Sequence, residues 1–331
     1  MNALILNDTR NGNHLGCIIV MQQLAALCQQ AGIQITGMLR LGRRFEAQLA
    51  KALVGCDLVI INGEGTMHDD AVGAMALVRA GAQAAACVVP VALINTVWQD
   101  NQQANQLLAD CRWISARESL SQRAIAGAGF EADVVPDLTL TADPGLLFQG
   151  EAGPGGVVVM DDVRLDLSLA LAHYARARRL PFHPMGGRPT LRTRQGWAKL
   201  LQLGHASGWA PQFHRGQAAA IPLASVVVTG RFHGICLAIL AGRPFVAFAS
   251  NTHKIEGLLR DADLGPGGCL FNDPPADPAR RDAYIDGAVH QVLGHMAVPS
   301  QRAAYEAACV RYTLRARQTA SALLDRIHSG S

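Results

Sequence analysis

The sequence predicts an α/β protein of two Rossmann-like, doubly wound domains facing across a cleft. Three observations predict it. Short apolar runs alternate with helical patterns from the first residue onward. The apolar runs are near-continuous rather than alternating, as in parallel strands covered on both faces. The rhythm breaks once, at residues 143–156 (DPGLLFQGEAGPGG), and then restarts, so that Gly/Pro-rich stretch reads as a linker between two similar halves. With 331 residues, half of them hydrophobic, the chain is long enough for two full cores.

The elements follow in order. Residues 3–6 are a strand. Residues 15–30 are a helix, capped by Asn11 or Asn13 and followed by Gly32. A strand at 34–39, a helix at 45–54 and the strand DLVIIN at 57–62 come next. Then follow a helix at 70–83, a strand at 88–97, a helix at 102–109, a strand at 113–117 and a helix at 119–126, with 134–141 closing the half. After the linker the pattern gives a strand at 157–160, a helix at 167–178, a strand at 181–184 and a helix at 191–205. Strand 225–229, helix 236–241, strand 245–249 and helix 254–261 complete the second sheet, and a long helical tail spans 300–327. The expected domains are 1–145 (acceptor side) and 155–298 (donor side), with 299–331 packing back across them.

Composition excludes several classes. A net charge of +3 and few aromatic residues argue against a nucleic-acid surface. The N-terminus lacks a basic leader, and the longest apolar run, 84–94, is too short to span a bilayer, so a cytoplasmic protein is expected. Eight cysteines with no C-x-x-C pair read as reduced core residues, and no metal is expected.

In open parallel sheets ligands bind beyond the carboxyl ends of the strands, and four such joints carry chemistry. The first, Asn7 to His14, is an Asn/Gly-rich turn that also holds Arg10, Asn13 and His14. The second, Asn62 to Asp70, sets Glu64 between two glycines, which leave its carboxylate exposed; Thr66 or Asp69 would cap the next helix, and His68 with Asp69 and Asp70 makes only a weak metal pattern. In the third, Arg117 is either an anion ligand or an ion-pair partner of Glu118. The fourth, Arg231-Phe232-His233-Gly234, joins a strand to a helix N-terminus, where free N–H groups attract anions. Gly234 removes a side chain that would block the approach, Arg231 adds a forked cation and His233 a proton donor. Lys254 heads the next joint and would lie beside Arg231 if the two strands are neighbours. The fourth joint therefore reads as a phosphate site.

The stretches VIINGEGTMHDD, SARESLSQRAIAGAGFEADVVPDLTLTAD and VVVTGRFHGICLAILAGRPFVAFASNTHKIEGLL resemble the polysaccharide pyruvyl transferase superfamily. R-x-H-G followed by a small-residue helix, a G-x-P strand and a lysine is the most specific part; residues 145–215 carry no matching motif. The resemblance implies the two-Rossmann fold of B-type glycosyltransferases. It implies transfer of a pyruvyl group from phosphoenolpyruvate, a co-substrate with no further cofactor, to a sugar of a cell-surface polysaccharide or its lipid-linked precursor, forming a ketal. It sets Arg231 and His233 on the donor motif, where Gly234 opens the helix, with Lys254 and Arg117 facing the same anion. The charge flow of that reaction makes His233 the candidate acid and Glu64 or His14 the candidate base, and Arg10, Asn13 and His68 are expected to face the acceptor. Two departures stand out: Glu64 replaces a more usual glycine, and the first loop reads Asn11-Gly12-Asn13-His14 where members have Asn-x-Gly-Asp.

Two other readings stay open: a nucleotide-sugar-dependent glycosyltransferase of the same fold, and a non-catalytic sugar- or anion-binding protein. The arginines at 176–194, with Trp197 and Trp209, form a solvated face or an acceptor surface at the inner membrane face. Arginines 302, 311, 315 and 317 in the tail fit packing better than membrane contact.

Overall fold

The computed structural model describes residues 1–10, 14–148, 155–185 and 218–330. The chain forms two compact units: residues 1–10, 18–141 and 314–330 build the first, and 14–17, 142–148, 155–185 and 218–313 the second.

In the first unit six parallel strands pair in the order β2-β1-β3-β4-β5-β6. They are β1 (Asn2–Leu6), β2 (Gln34–Leu39), β3 (Leu58–Glu64), β4 (Val91–Thr96), β5 (Trp113–Ala116) and β6 (Asp133–Val134). Helices α1 (Leu15–Gln30), α2 (Phe45–Ala52), α3 (Val72–Ala86) and α4 (Ser119–Gly127) make the crossovers. β3 and β4 are buried at every residue, and neighbouring residues feed opposite faces. Leu4, Leu6, Val59 and Ile61 join α2 and α3 in one core. Ala3, Ile5, Leu58 and Ile60 join α1 in the other. Apolar residues at consecutive positions are what a sheet buried on both faces demands.

The second unit begins with the short helix α5 (Pro144–Leu147) and carries the parallel strands β7 (Gly156–Val159), β8 (Ala224–Thr229), β9 (Phe245–Phe248) and β10 (Gly268–Phe271), ordered β10-β9-β8-β7. Its helices are α6 (Leu165–Arg178), α7 (Phe232–Leu240), α8 (Lys254–Ala262) and α9 (Pro278–Ala297); α10 (Pro299–Ser329) ends the chain. α7 is buried at all nine residues, which explains why its sequence is apolar all round.

Several elements differ from the sequence expectation. β10 and α9 went unpredicted: β10 is only four residues and opens on a glycine, and the arginines of α9 mask its stripe of Ile285, Ala288, Val289 and Val292. Residues 181–184 form only a bridge, Phe182 to Val159. The expected helix at 102–109 is a 3-10 helix, Asn105–Asp110. The expected strand at 134–141 is two residues of β6 and a 3-10 turn at Leu138–Thr141. The expected helix at 191–205 lies outside the described residues. The cysteines are free thiols, but not uniformly core: Cys28, Cys56, Cys236 and Cys309 are buried, Cys17, Cys111 and Cys269 are half-buried, and Cys87 is exposed. No described helix is long and apolar enough to cross a membrane.

Candidate functional site

Each unit has a polar cluster at its topological switch point, where ligands of open parallel sheets bind. In the first unit the strand order reverses between β1 and β3. Their carboxyl ends are tied together by side chains. Asn7 Nδ2 donates to the Asn62 carbonyl at 2.7 Å and to Thr66 Oγ1 at 3.2 Å. Thr9 Oγ1 donates to Glu64 Oε1 at 2.9 Å, and Asn62 Nδ2 to the same oxygen at 3.2 Å. Asn95, at the end of β4, receives the Leu138 N–H on Oδ1 at 3.3 Å. Asn7, Glu64 and Asn95 all have positive φ (69°, 42° and 53°). Asparagine tolerates that region; for glutamate it costs on the order of 1 kcal/mol, and such strain gathers at functional sites.

Glu64 is not exposed as expected: its exposure is 4%. β3 continues through it by pairing with Thr96, and Gly63 exists because any side chain there would strike Thr96 of β4. The glycine serves strand contact rather than ligand approach. The expected cap of α3 is also corrected. The N-cap residue of that helix is Ala71, and no side chain caps it. Asp70 turns away and accepts the N–H groups of Gln103 (2.8 Å) and Ala104 (2.9 Å), while Asp69 pairs with His68 Nδ1 at 2.7 Å. Arg117 is buried and pairs with Asp137 at 3.3 Å. Glu118 caps α4, accepting from Leu120 N at 2.7 Å and Ser121 N at 3.0 Å. Arg10 forks onto Asp8 at 2.7 and 2.8 Å; that hydrogen bond and charge hold the Asp8 carboxyl below its usual range. Asn13 lies outside the described residues.

In the second unit, β8 lies on one side of β7, and residues 181–183 pair on the other through Val159 N to Pro181 O (3.1 Å) and His183 N to Val159 O (2.8 Å). The switch point is therefore β7/β8. There Arg231 is the N-cap residue of α7. Its amide donates to Thr229 Oγ1 at 3.0 Å, and its guanidinium to Asp161 Oδ2 at 2.5 Å. Burial opposes the Arg231 charge, but the Asp161 carboxylate outweighs it and the pKa is raised. Next to Asp161, Asp162 has no exposure, and its carboxylate fills the space where a side chain on Gly230 would sit. Burial pushes the Asp162 carboxyl up to about 6, against the opposing pull of the Arg164 amide and of the Arg164 and Arg231 charges.

His233 occupies the first turn of α7 and is 8% exposed. His14 was expected in the N-terminal domain; it belongs to the second unit, and its ring centroid is 5.3 Å from that of His233. The role expected for Gly234 is corrected as well. A side chain there would meet Thr229 Oγ1 at 2.9 Å and Met160 Sδ at 3.0 Å, so this glycine packs α7 onto the strands. β8 and β9 are neighbours, with Thr229 opposite Ala247, so the joints bearing Arg231 and Lys254 end adjacent strands. Lys254 is buried, and its Nζ donates to Asn251 Oδ1.

Sequence reasoning passed over Asp161 and Asp162, though they directly follow an apolar strand, and Asn95, whose signal is a polar residue ending the run Val91–Ile94. Chemically, the second unit offers an anion position at a helix N-terminus with a fixed cation beside it. The first offers mostly neutral donors and acceptors suited to hydroxyls.

These two sheets define the fold of the two-Rossmann, B-type sugar enzymes. The sequence matches no protein-family model and no curated protein. Among solved structures the chain is similar to UDP-GlcNAc 2-epimerase from Neisseria meningitidis bound to UDP-GlcNAc, at 11% identity and a TM-score of 0.58, with all of both chains covered. It is similar to the Methanocaldococcus jannaschii UDP-GlcNAc 2-epimerase in complex with UDP-GlcNAc and UDP, at 12% identity and a TM-score of 0.56, covering 88% of this chain and 93% of that one. It is also similar to the glycotransferase of kitacinnamycin, at 13% identity and a TM-score of 0.51, covering 98% of each.

Proposed function

We propose that the protein is a sugar-transforming enzyme whose second unit binds the diphosphate of a nucleotide sugar at the N-terminus of α7. The observation that supports this most is Arg231, placed at the N-cap of α7 on the β7/β8 switch point and fixed there by Asp161. A diphosphate spreads its charge over several oxygens, which first-turn amides and one oriented guanidinium can meet. Solved structures of the same fold hold UDP-GlcNAc. The reaction class is displacement at the anomeric carbon. An acceptor hydroxyl oxygen bonds to that carbon and gives up its proton to a base, the bond to the diphosphate oxygen breaks, its electron pair leaves with the nucleoside diphosphate, and the helix N-terminus and Arg231 stabilise the departing charge.

Pyruvyl transfer from phosphoenolpyruvate is the second reading. Arg231-x-His233-Gly234 favours it, as does Lys254 at the adjacent strand end. His233 would protonate the methylene carbon, a sugar hydroxyl would attack the carbon bearing phosphate, and phosphate would leave. The Asp161 carboxylate beside Arg231 bears on both readings alike. What favours the first is the set of solved structures of this fold that hold a nucleotide sugar.

Calorimetric titration decides between them. UDP-GlcNAc, UDP and phosphoenolpyruvate are titrated into wild type, Arg231→Ala and the milder Arg231→Lys. The proposal expects UDP and UDP-GlcNAc to bind, with affinity about tenfold or more lower in Arg231→Ala, since a charged hydrogen bond contributes about 1.5–3 kcal/mol. Binding of phosphoenolpyruvate alone, lost with Arg231, replaces it with the second reading. Binding of neither by folded wild type leaves the non-catalytic reading standing.

A further inference from the structure

Three ligating side chains of the second unit converge beside Arg231. His14 and Cys17 stand one turn apart at the start of α1, the i and i+3 spacing that shares a helix face. His233 comes from the first turn of α7. One ligating atom from each, an imidazole nitrogen from both histidines and Sγ from Cys17, lies within 4.8 Å of the other two. The imidazoles are tilted 59° to one another.

The local sequence builds this convergence. Gly16 sits between His14 and Cys17, and any side chain there would overlap the His233 ring. The glycine therefore lets that imidazole lie directly on the first turn of α1. Leu15 N donates to the Met185 carbonyl at 3.1 Å and fastens the same turn to the unit. His233 is nearly buried, and His14 and Cys17 are half-buried, so the group is sheltered but reachable.

The donor set selects a class of ligand. Two imidazoles and a thiolate suit zinc and its borderline-soft neighbours, whereas magnesium and calcium want oxygen ligands. Zinc bonds of about 2.0–2.1 Å to nitrogen and about 2.3 Å to sulfur set tetrahedral ligand atoms about 3.5 Å apart. Side-chain rotations of about 1 Å would close the present spacing to that value. Three protein ligands leave a fourth position open, as in sites where zinc holds water or a substrate oxygen.

We propose that His14, Cys17 and His233 form a three-ligand site for a zinc-class divalent cation with its fourth position open. The proposal needs neither donor to bind, but a metal-held His233 would not serve as the proton donor of the pyruvyl-transfer reading. Formation of the complex makes two N–metal bonds and one S–metal bond and releases the thiol proton to solvent.

The test uses the full chain, reduced and stripped with a chelator, then titrated with Co²⁺ and with Zn²⁺. One equivalent of Co²⁺ should give a thiolate-to-cobalt charge-transfer band that Zn²⁺ abolishes. Cys17→Ser should lose that band, and His14→Ala and His233→Ala should each weaken Zn²⁺ binding about tenfold or more, as expected for loss of a ligand. Zn²⁺ should also slow alkylation of Cys17 in the wild type, read by peptide mass spectrometry, which needs no variant to fold. The proposal is overturned by absence of the band at saturating Co²⁺. A band unchanged in Cys17→Ser overturns it too, because the metal then sits on another thiol such as the exposed Cys87. Equal alkylation of Cys17 with and without Zn²⁺ has the same force.

Discussion

Asp162 carries the clearest single-residue consequence. Its carboxyl is fully buried beside Gly230 and titrates near 6, well above the ordinary 3.8, chiefly because burial penalises the charged form. A carboxyl with a raised folded pKa stabilises the fold while protonated and loses that contribution as pH rises through about 6. A shift of this size corresponds to roughly 3 kcal/mol at pH above 7. Asp162→Asn should therefore melt at about the wild-type temperature near pH 4 and above it near pH 8. A difference in melting temperature that does not change between those pH values would sink the argument. Arg117 and Asp137 test burial of the opposite kind. Both are nearly free of solvent and paired at 3.3 Å, so Asp137→Ala should destabilise by about 3–5 kcal/mol in chemical denaturation, because it takes a carboxylate away from a buried guanidinium. A loss below about 1 kcal/mol would mean that the pair is replaceable by water.

At the scale of elements, the joints were legible and their internal contacts were not. Apolar runs named β1, β3, β4, β8 and β9, and the rule that ligands sit beyond strand ends pointed to Glu64, Arg117, Arg231 and Lys254. It could not say which way those side chains turn. Glu64 continues its strand and goes inside, Glu118 caps α4, and Asp161 takes the Arg231 guanidinium. Glu64 meets Thr9 and Asp161 meets Arg231 across 55 and 70 residues, distances that no local pattern records, whereas Glu118 takes amides of its own next turn. Gly63 and Gly234 looked like room for a ligand but are room for Thr96 and Thr229, and Gly230 is likewise room for Asp162. Gly16 is the case where this matters for the α1–α7 junction. Gly16→Ala drives a methyl into the His233 ring, and overpacking of this kind costs about 1–3 kcal/mol. Gly42→Ala, where nothing lies within 4 Å, is the matched control. Equal thermal stability of the two variants would show that His233 can yield without cost, and the ring would then be less firmly held than its contacts imply.

At the scale of the molecule, the last helix changes what counts as a unit. Sequence rhythm ends the first sheet near residue 141, yet that unit is completed by residues 314–330. Ala320, Leu323, Leu324 and Ile327 of α10 are buried in the same core as Ile5, Leu24, Ile60 and Ile94. Arg326 reaches Asp133, and the Gly330 carbonyl accepts from Arg112. One face of a six-stranded sheet is therefore unfinished until the C-terminus arrives, although every strand of it lies in the first 134 residues. A chain ending at Thr313 should expose the α1 side of the core, with hydrogen exchange accelerating in β1 and β3 ahead of β8 and β9. Leu324→Ala should cost about 2–5 kcal/mol, the range for a buried leucine. Leu314→Ala, at a side chain 47% exposed, should cost little. Undisturbed protection of β1 and β3 in the truncated chain would mean that the first unit closes its own core, and α10 would then be an appendage rather than the last piece of the fold.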